Sequence, residues 1–548
     1  MTYLNAISFI GIFGLCIIAW LFSEHRRVIP WRVIIWGIGL QLVLGFLVFQ
    51  FPPTREALRA FSGLLDSVFL AADAGANFVF GKNLVPLPTR PADVNLGYIF
   101  AFRALPTVIF FSGLMALLYN LGVIQVITTL FARVFYSTMR LSGAEALSGA
   151  ANIFVGIEAA IVVKPFIEKM TRSELAAILA CCFGTAASST LAIYVSFLRP
   201  VFPNILGHLV SASIIAIPAC FVLSKILVPE VETPLTAGGI PEEAKKEAKA
   251  YGDQEEFIQE EVGGEPIERV SPMDAAIVGA LDGVKMAVAI AAILILIVGL
   301  VSLINQLFAA LAGLQNSSVP ALQPVGQFFG VVTLQNILGV LFYPLTLLTG
   351  VPFDESWPAS VIIGRRLLET AIPPYQELGR AATAGELSDR TVLIVSYALS
   401  GFAHIASVGI FVGGTIALAP SRRKDISDLG WRALFVGTLA TIMIGCIAGV
   451  FDNGNPSILG EKAAPAPVTA PAPTLSPTPA TTGATPAVPP ATPVAPASPA
   501  VTPKAVAPAP GNAVPQRAPA VPATPARTAA PTVQTAPRTQ SPQPATVR

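Results

Sequence analysis

Residues 151–165 place an amide, a glycine and a carboxylate in an otherwise apolar stretch, at Asn152, Gly156 and Glu158. A carboxylate at membrane depth costs about 3 kcal/mol unless it faces protein, water or a ligand. Glycine permits tight turns and Pro165 ends a helix, so the stretch is too broken to cross a bilayer as one helix. It predicts a re-entrant hairpin, which is stable only where it is buried in protein or lines a cavity. Interrupted segments of this kind mark binding sites in transporters.

The composition is that of a polytopic membrane protein. Charged residues make up 12% of the chain and hydrophobic residues 53%, whereas soluble domains carry about 25% charged residues. The net charge of +1 gives no indication of nucleic-acid binding. The chain has no Ser-His-Asp grouping, phosphate loop or metal-ligand cluster, so we expect neither an enzyme nor a cofactor. The five cysteines lie in apolar segments and are interpreted as small membrane residues: Cys16, Cys181, Cys182, Cys220 and Cys446.

Apolar runs of about 20 residues predict an all-α fold with about eight transmembrane helices. They cover residues 5–22, 32–50, 98–119, 174–198, 202–227, 284–311, 391–418 and 429–451. Two weaker segments, 55–80 and 123–141, contain basic residues and predict interfacial helices. Three others, 145–167, 328–350 and 355–380, predict re-entrant segments.

Basic residues in short loops predict the orientation of the chain. Arg26, Arg27 and Arg32 lie between the first two spans, and residues 422–424 precede the last span. If both loops are cytoplasmic, both termini lie on the outer side of the membrane. An even number of spans gives the same result.

We expect five regions along the chain. They are the transmembrane and interfacial scaffold (1–140), the first hairpin with its following helices (141–228), an acidic cytoplasmic loop (229–272), the second hairpin with the C-terminal helices (273–452) and a disordered tail (453–548). The tail is rich in Pro, Ala and Thr and has no acidic residue beyond Lys462, so it cannot bury a core. It is either an inert spacer or an element that binds a partner outside the membrane.

Several local motifs resemble the concentrative nucleoside transporter family. They are residues 19–27 with 31–32, 151–165, 170–175, 274–276 with 282–285, and 401–407 with 413–423. The resemblance covers roughly residues 1–452. It implies a homotrimer in a bacterial inner membrane, two re-entrant hairpins and two partly unwound helices around a mid-membrane site. It also implies uptake of nucleosides driven by a sodium or proton gradient.

The resemblance implies a sodium site between the first hairpin and the following helix. The matching positions are Asn152 (side chain), Val155 (carbonyl), Thr185 (hydroxyl) and Ala186 (carbonyl). Sodium prefers such oxygen donors, and unwound backbone supplies carbonyls that a helix no longer uses. The alternative is that these hydroxyls only bond back to helix carbonyls.

The substrate positions implied by the resemblance depart from the family pattern in both hairpins. The family's Gly-Gln-Thr-Glu-Ala-Pro is Gly-Ile-Glu-Ala-Ala at residues 156–160, and its Asn-Glu-Phe is Thr-Ala-Ile at residues 370–372. A carboxylate that would bind ribose is therefore missing from its register. Glu369 either slips into that place or pairs with Arg365 or Arg366. The expected substrate-binding residues are Gly156, Ile157, Glu158, Thr190, Glu369, Phe402, His404 and Ser407.

His404 stands where the family has an asparagine. Histidine donates and accepts hydrogen bonds as an amide does, and it also carries a proton near neutral pH, so a protonatable pair with Glu158 is one hypothesis. The sequence therefore leaves sodium and proton coupling open. Its predicted function is a cation-coupled symporter that imports nucleosides or a related small polar solute by alternating access. The alternative is a non-transporting membrane sensor or scaffold that retains the fold.

Overall fold

The computed structural model describes residues 3–94, 96, 99–154, 156, 158–161, 163–186, 188–237, 271–454 and 460. The chain divides into residues 1–467 and 468–548, and every described residue belongs to the first unit. Most of the expected acidic loop and nearly all of the expected tail lie outside the described residues.

The described residues form helices and no β-strand. The helices are α1 (Tyr3–Leu21), α2 (Trp31–Phe49), α3 (Pro52–Phe80), α4 (Phe100–Arg103), α5 (Leu105–Asn120), α6 (Val123–Met139), α7 (Gly143–Ala151), α8 (Glu158–Ile161), α9 (Lys164–Ile167), α10 (Arg172–Gly184), α11 (Ser188–Leu198), α12 (Ile205–Leu227), α13 (Pro272–Ala312), α14 (Gln323–Val331), α15 (Leu334–Leu348), α16 (Ser356–Glu369), α17 (Ile372–Thr383), α18 (Asp389–Ala398), α19 (Ile405–Leu418) and α20 (Arg423–Phe451). The all-α fold predicted from the sequence is confirmed.

Six of the expected spans correspond to helices in the described part that are long and apolar enough to cross a membrane. They contain α1, α2, α4 with most of α5, α12, α13 and α20. Helix α13 extends beyond its expected span, because it begins at Pro272 and has 41 residues. At 1.5 Å per residue its length is about 60 Å, roughly twice the thickness of the hydrocarbon core.

The other two expected spans are interrupted rather than continuous. Residues 174–198 form α10 and α11, which break after Gly184, and residues 391–418 form α18 and α19, which break over 399–404. Helix α10 ends because Thr185 adopts an extended conformation (φ −115°, ψ 166°). Helix α19 starts after His404, which is also extended (φ −139°, ψ 158°).

The two expected hairpins form short helical arms. Helices α7 and α8 contact each other, and the Ser148 hydroxyl donates to the Ala159 carbonyl at 3.2 Å. Helices α16 and α17 pack together around a turn at Thr370. The third expected re-entrant segment, 328–350, is largely α15, which is bent by 64° relative to the short helices before it.

The core is built around α12 and α20. In each of these two helices, 89% of the most apolar 18-residue stretch is buried inside the protein, whereas in α13 the buried share is 11%. Helix α13 therefore presents apolar side chains that need lipid or another protein surface around them.

Candidate functional site

Asn152 is positioned at the C-terminal end of α7, in the first hairpin. It is fully buried, and its side-chain Nδ2 donates to the Ser148 carbonyl at 3.1 Å. Its Oδ1 has no hydrogen-bond partner among the described residues. A buried oxygen without a partner costs about 1–3 kcal/mol, so this atom is suited to accept a ligand.

Thr185 and Ala186 lie at the break between α10 and α11, and both are buried. The Thr185 hydroxyl donates to the Cys181 carbonyl at 2.9 Å, as the helix-bonding alternative expects. A hydroxyl that donates one hydrogen bond keeps lone pairs that can accept a cation. Helix α7 packs against α10, so Asn152 and Thr185 belong to neighbouring elements. The donor set fits sodium, although Val155 lies outside the described residues.

The breaks of the two interrupted helices meet backbone to backbone. The Phe402 amide donates to the Thr185 carbonyl at 3.2 Å. A Cβ on Gly401 would lie 2.8 Å from the carbonyl oxygens of Gly184 and Phe183, so only glycine permits this approach. The non-helical residues at the two breaks are therefore in direct backbone contact.

His404 caps the start of α19. Its Nδ1 accepts from the Ser407 backbone amide at 3.3 Å, and the Ser407 hydroxyl lies 3.1 Å from the same nitrogen. The same hydroxyl lies 3.0 Å from Nε2, so His404 and Ser407 form one local polar cluster at the start of α19. The Glu158 side chain lies outside the described part, so the hypothesis of a Glu158–His404 pair stays a prediction.

Further expected substrate residues surround the same region. Thr190 and Ser407 are buried, and the ring of Phe402 packs edge-on against His404 with centroids 6.0 Å apart. Gly156 is also buried, whereas Ile157 lies outside the described residues. The breaks and the first hairpin thus supply most of the predicted positions.

Glu369 takes the pairing alternative. Its carboxylate accepts from Arg365 Nε at 2.8 Å and from Gln335 Nε2 at 2.9 Å. It lines a cavity of about 400 Å³ between α13 and the second hairpin, together with Asn305 and Arg365. The carboxylate is therefore already hydrogen-bonded to two neighbours, and a role of Glu369 in substrate binding stays a prediction.

Two buried basic residues, Arg366 and Lys225, were not among the site residues predicted from the sequence. Arg366 is 1% exposed and donates through Nη1 to the Ala398 carbonyl, the last residue of α18. Lys225, in α12, lies 2.5 Å from Glu145 in the first hairpin. The sequence signal was present in both cases, as a basic residue within or at the end of an apolar segment, but their partners are distant in sequence.

A bundle with two re-entrant hairpins and two interrupted helices, whose breaks meet over buried polar groups, defines a multi-pass membrane transporter. Comparison with known proteins gives the family. The profile of the Na+ dependent nucleoside transporter C-terminus matches residues 208–449 and that of the N-terminus matches residues 10–83. A nucleoside recognition (Gate) profile matches residues 101–201. The chain belongs to the Na+ dependent nucleoside transporter family and is not an enzyme.

Bacterial and mammalian relatives are similar over most of the chain. An uncharacterized transporter of Haemophilus influenzae is 33% identical over 81% of this chain and 97% of its own length. Sodium/nucleoside cotransporter 1 of Mus musculus is 33% identical over 81% of this chain and 63% of its own length. The structure of CNTnw in an inward-facing substrate-bound state is 33% identical, with a TM-score of 0.67, over 81% of this chain and 98% of that one.

Proposed function

We propose that this protein is a sodium-coupled symporter that imports a nucleoside-like or related small polar solute by alternating access. The observation that carries the proposal is Asn152 Oδ1, a buried oxygen without a partner among the described residues. It lies on the hairpin that packs against α10, whose end leaves Thr185 and Ala186 outside regular helix. Amide, hydroxyl and carbonyl oxygens together suit a sodium ion.

The solute site belongs to the same region. We place it among Gly156, Glu158, Thr190, Phe402, His404 and Ser407, with Ile157 and the Val155 carbonyl completing the first hairpin. The names of the relatives support a nucleoside-like solute, since one is a sodium/nucleoside cotransporter. The oxygen donors of Asn152, Thr185 and Ala186 support sodium rather than proton coupling. We further propose a homotrimer in a bacterial inner membrane with both termini outside.

The test is uptake into proteoliposomes that contain the purified full-length protein. An inward sodium gradient is expected to drive accumulation of a nucleoside or related solute, and Asn152→Ala is expected to abolish the sodium dependence. The reason is that the substitution removes the unpaired oxygen.

The matched control is Asn336→Ala, which removes another side-chain amide, one that donates to the Val331 carbonyl in α14. That variant should keep sodium-driven uptake. Sodium dependence that survives in Asn152→Ala at a normal protein level would contradict the assigned cation site. Solute binding without accumulation would favour a sensor over a carrier.

A further inference from the structure

Arg366 presents one free edge of its guanidinium group inside the protein. Its Nη1 donates to the Ala398 carbonyl, whereas Nε and Nη2 have no hydrogen-bond partner among the described residues. Nε and Nη2 lie on the same edge of the planar group and direct two parallel N–H bonds outward. That edge has the shape that binds a carboxylate in a bidentate manner.

The charge of Arg366 is also uncompensated in the described part of the chain. The neighbouring Arg365 pairs with Glu369, but no acidic side chain among the described residues forms an ion pair with Arg366. A fully buried cation without a counter-charge is strongly disfavoured. The hydrogen bond to Ala398 satisfies Nη1, and a cation at the C-terminal end of α18 is also favoured by the helix dipole.

The guanidinium of Arg366 lies next to the break between α18 and α19, which holds residues assigned to the solute site. Ala398 immediately precedes the break that holds Phe402 and His404. Helix α16, which carries Arg366, packs against both α18 and α19, and Tyr194 lies one helical turn after Thr190 in α11. The Tyr194 ring stacks on Tyr375 of the second hairpin, with centroids 4.4 Å apart. The second hairpin therefore contacts parts of both interrupted helices.

We propose that the solute carries a carboxylate, and that the Nε–Nη2 edge of Arg366 binds it. This proposal rests on the proposed function, since it names the chemical class of the solute at the same site. One unpaired positive charge matches one negative charge, which favours a monoanion over a phosphate dianion.

The test compares pairs of probes that differ in one charge. Orotate is measured against uracil, and nicotinate against nicotinamide, by calorimetric titration of the purified full-length protein in sodium. At least one carboxylate is expected to bind more than about tenfold tighter than its neutral partner, because two charge-assisted hydrogen bonds are gained. Equal affinity within both pairs would overturn the proposal.

Variants then assign the preference to Arg366. Arg366→Gln is expected to remove the preference, and Arg366→Lys to keep only part of it, since lysine retains the charge without the planar fork. The control Arg380→Gln changes an exposed arginine of the same hairpin that pairs with Glu377 and Glu386, and it should bind as the unaltered protein does. A preference that survives in Arg366→Gln would also overturn the proposal.

The outcome separates this inference from the proposed function. Sodium-driven uptake of neutral solutes without any carboxylate preference would leave the symporter and refute the role of Arg366. Carboxylate binding that depends on Arg366, without sodium-driven uptake, would retain the anion site and refute the symporter. If Arg366→Gln does not fold, the probe pairs on the unaltered protein and the Arg366→Lys variant still decide.

Discussion

Among the described residues, the two hairpins contain opposite kinds of buried polar atom without a hydrogen-bond partner. The first hairpin has an acceptor, Asn152 Oδ1, and the second has two donors, Nε and Nη2 of Arg366. An acceptor in a buried place is suited to a cation, and a guanidinium edge is suited to an anion. This difference is why we propose a cation at the first hairpin and an anion at the second.

The two hairpins also differ in how they are fixed. The first hairpin is anchored by a buried ion pair, since Lys225 Nζ lies 2.5 Å from Glu145 and 3.1 Å from Glu230. The second hairpin turns through Thr370, a non-glycine residue with a left-handed φ of +68°. The first hairpin is therefore held by an ion pair between α7 and α12, whereas the second has a strained backbone at the turn between α16 and α17.

Removing the charge at the base of the first hairpin should have the largest effect on stability. Lys225→Met leaves Glu145, which is 1% exposed, without its partner. We expect a loss of about 3–5 kcal/mol, because an uncompensated buried charge remains. The measurement is thermal unfolding in detergent, with Lys285→Met as the control, since Lys285 is more than half exposed and pairs with Asp282 at 3.5 Å.

The double variant Lys225→Met with Glu145→Gln sharpens this prediction. Glutamine at position 145 retains the capping interaction with Ser142 that starts α7, but it removes the buried charge. The double variant should therefore recover much of the lost stability. If it is no more stable than the single variant, packing of the lysine chain and not its charge holds the hairpin.

The contact between the two breaks should be the next most sensitive feature. Gly401→Ala would place a Cβ 2.5 Å from Thr441 Cγ2 and 2.8 Å from two backbone carbonyls. We expect a loss of about 1–3 kcal/mol from overpacking, and weaker stabilisation by sodium because the Phe402–Thr185 bond is displaced. Unfolding with and without sodium measures both effects.

Gly409→Ala is the matched control for that substitution. The added Cβ meets nothing within 4 Å among the described residues, and alanine favours the helix α19. This variant should be at least as stable as the unaltered protein. Equal losses of stability in Gly401→Ala and Gly409→Ala would mean that the close contact at Gly401 is not the cause of the loss.

The sequence predicted features that depend on local residue patterns, but it did not predict contacts between residues that are far apart in the chain. The Gly156 turn, the polar run at 184–190 and the family motifs predicted the first hairpin and the existence of unwound helices. Lys225 and Glu145 are far apart in the sequence, so their pairing depends on how α7 and α12 pack and leaves no local pattern. Helix α13 contains the predicted span 284–311 and begins before it, because residues 272–283 are helical but less apolar.

The candidate site was predictable only where it follows the family. Asn152 and Thr185 stand on matching motifs, whereas Arg366 was considered only as a partner for Glu369. In the structure Glu369 pairs with Arg365 and not with Arg366. Arg366 therefore has no carboxylate partner among the described residues. A choice between two adjacent arginines depends on the direction in which each side chain leaves the helix, which the sequence alone does not specify.

The smallest expected effect concerns the strained tip of the second hairpin. Thr370 adopts φ +68° and ψ −179°, a region that is occupied almost only by glycine. Thr370→Gly should raise stability by about 1 kcal/mol, since relief of strain exceeds the entropic cost of glycine and the loss of the weak 3.4 Å bond from the Ile372 amide. The measurement is the unfolding temperature in detergent. A lower unfolding temperature would mean that the Thr370 side chain, and not the fold around it, holds the turn that orients Arg366 and α17.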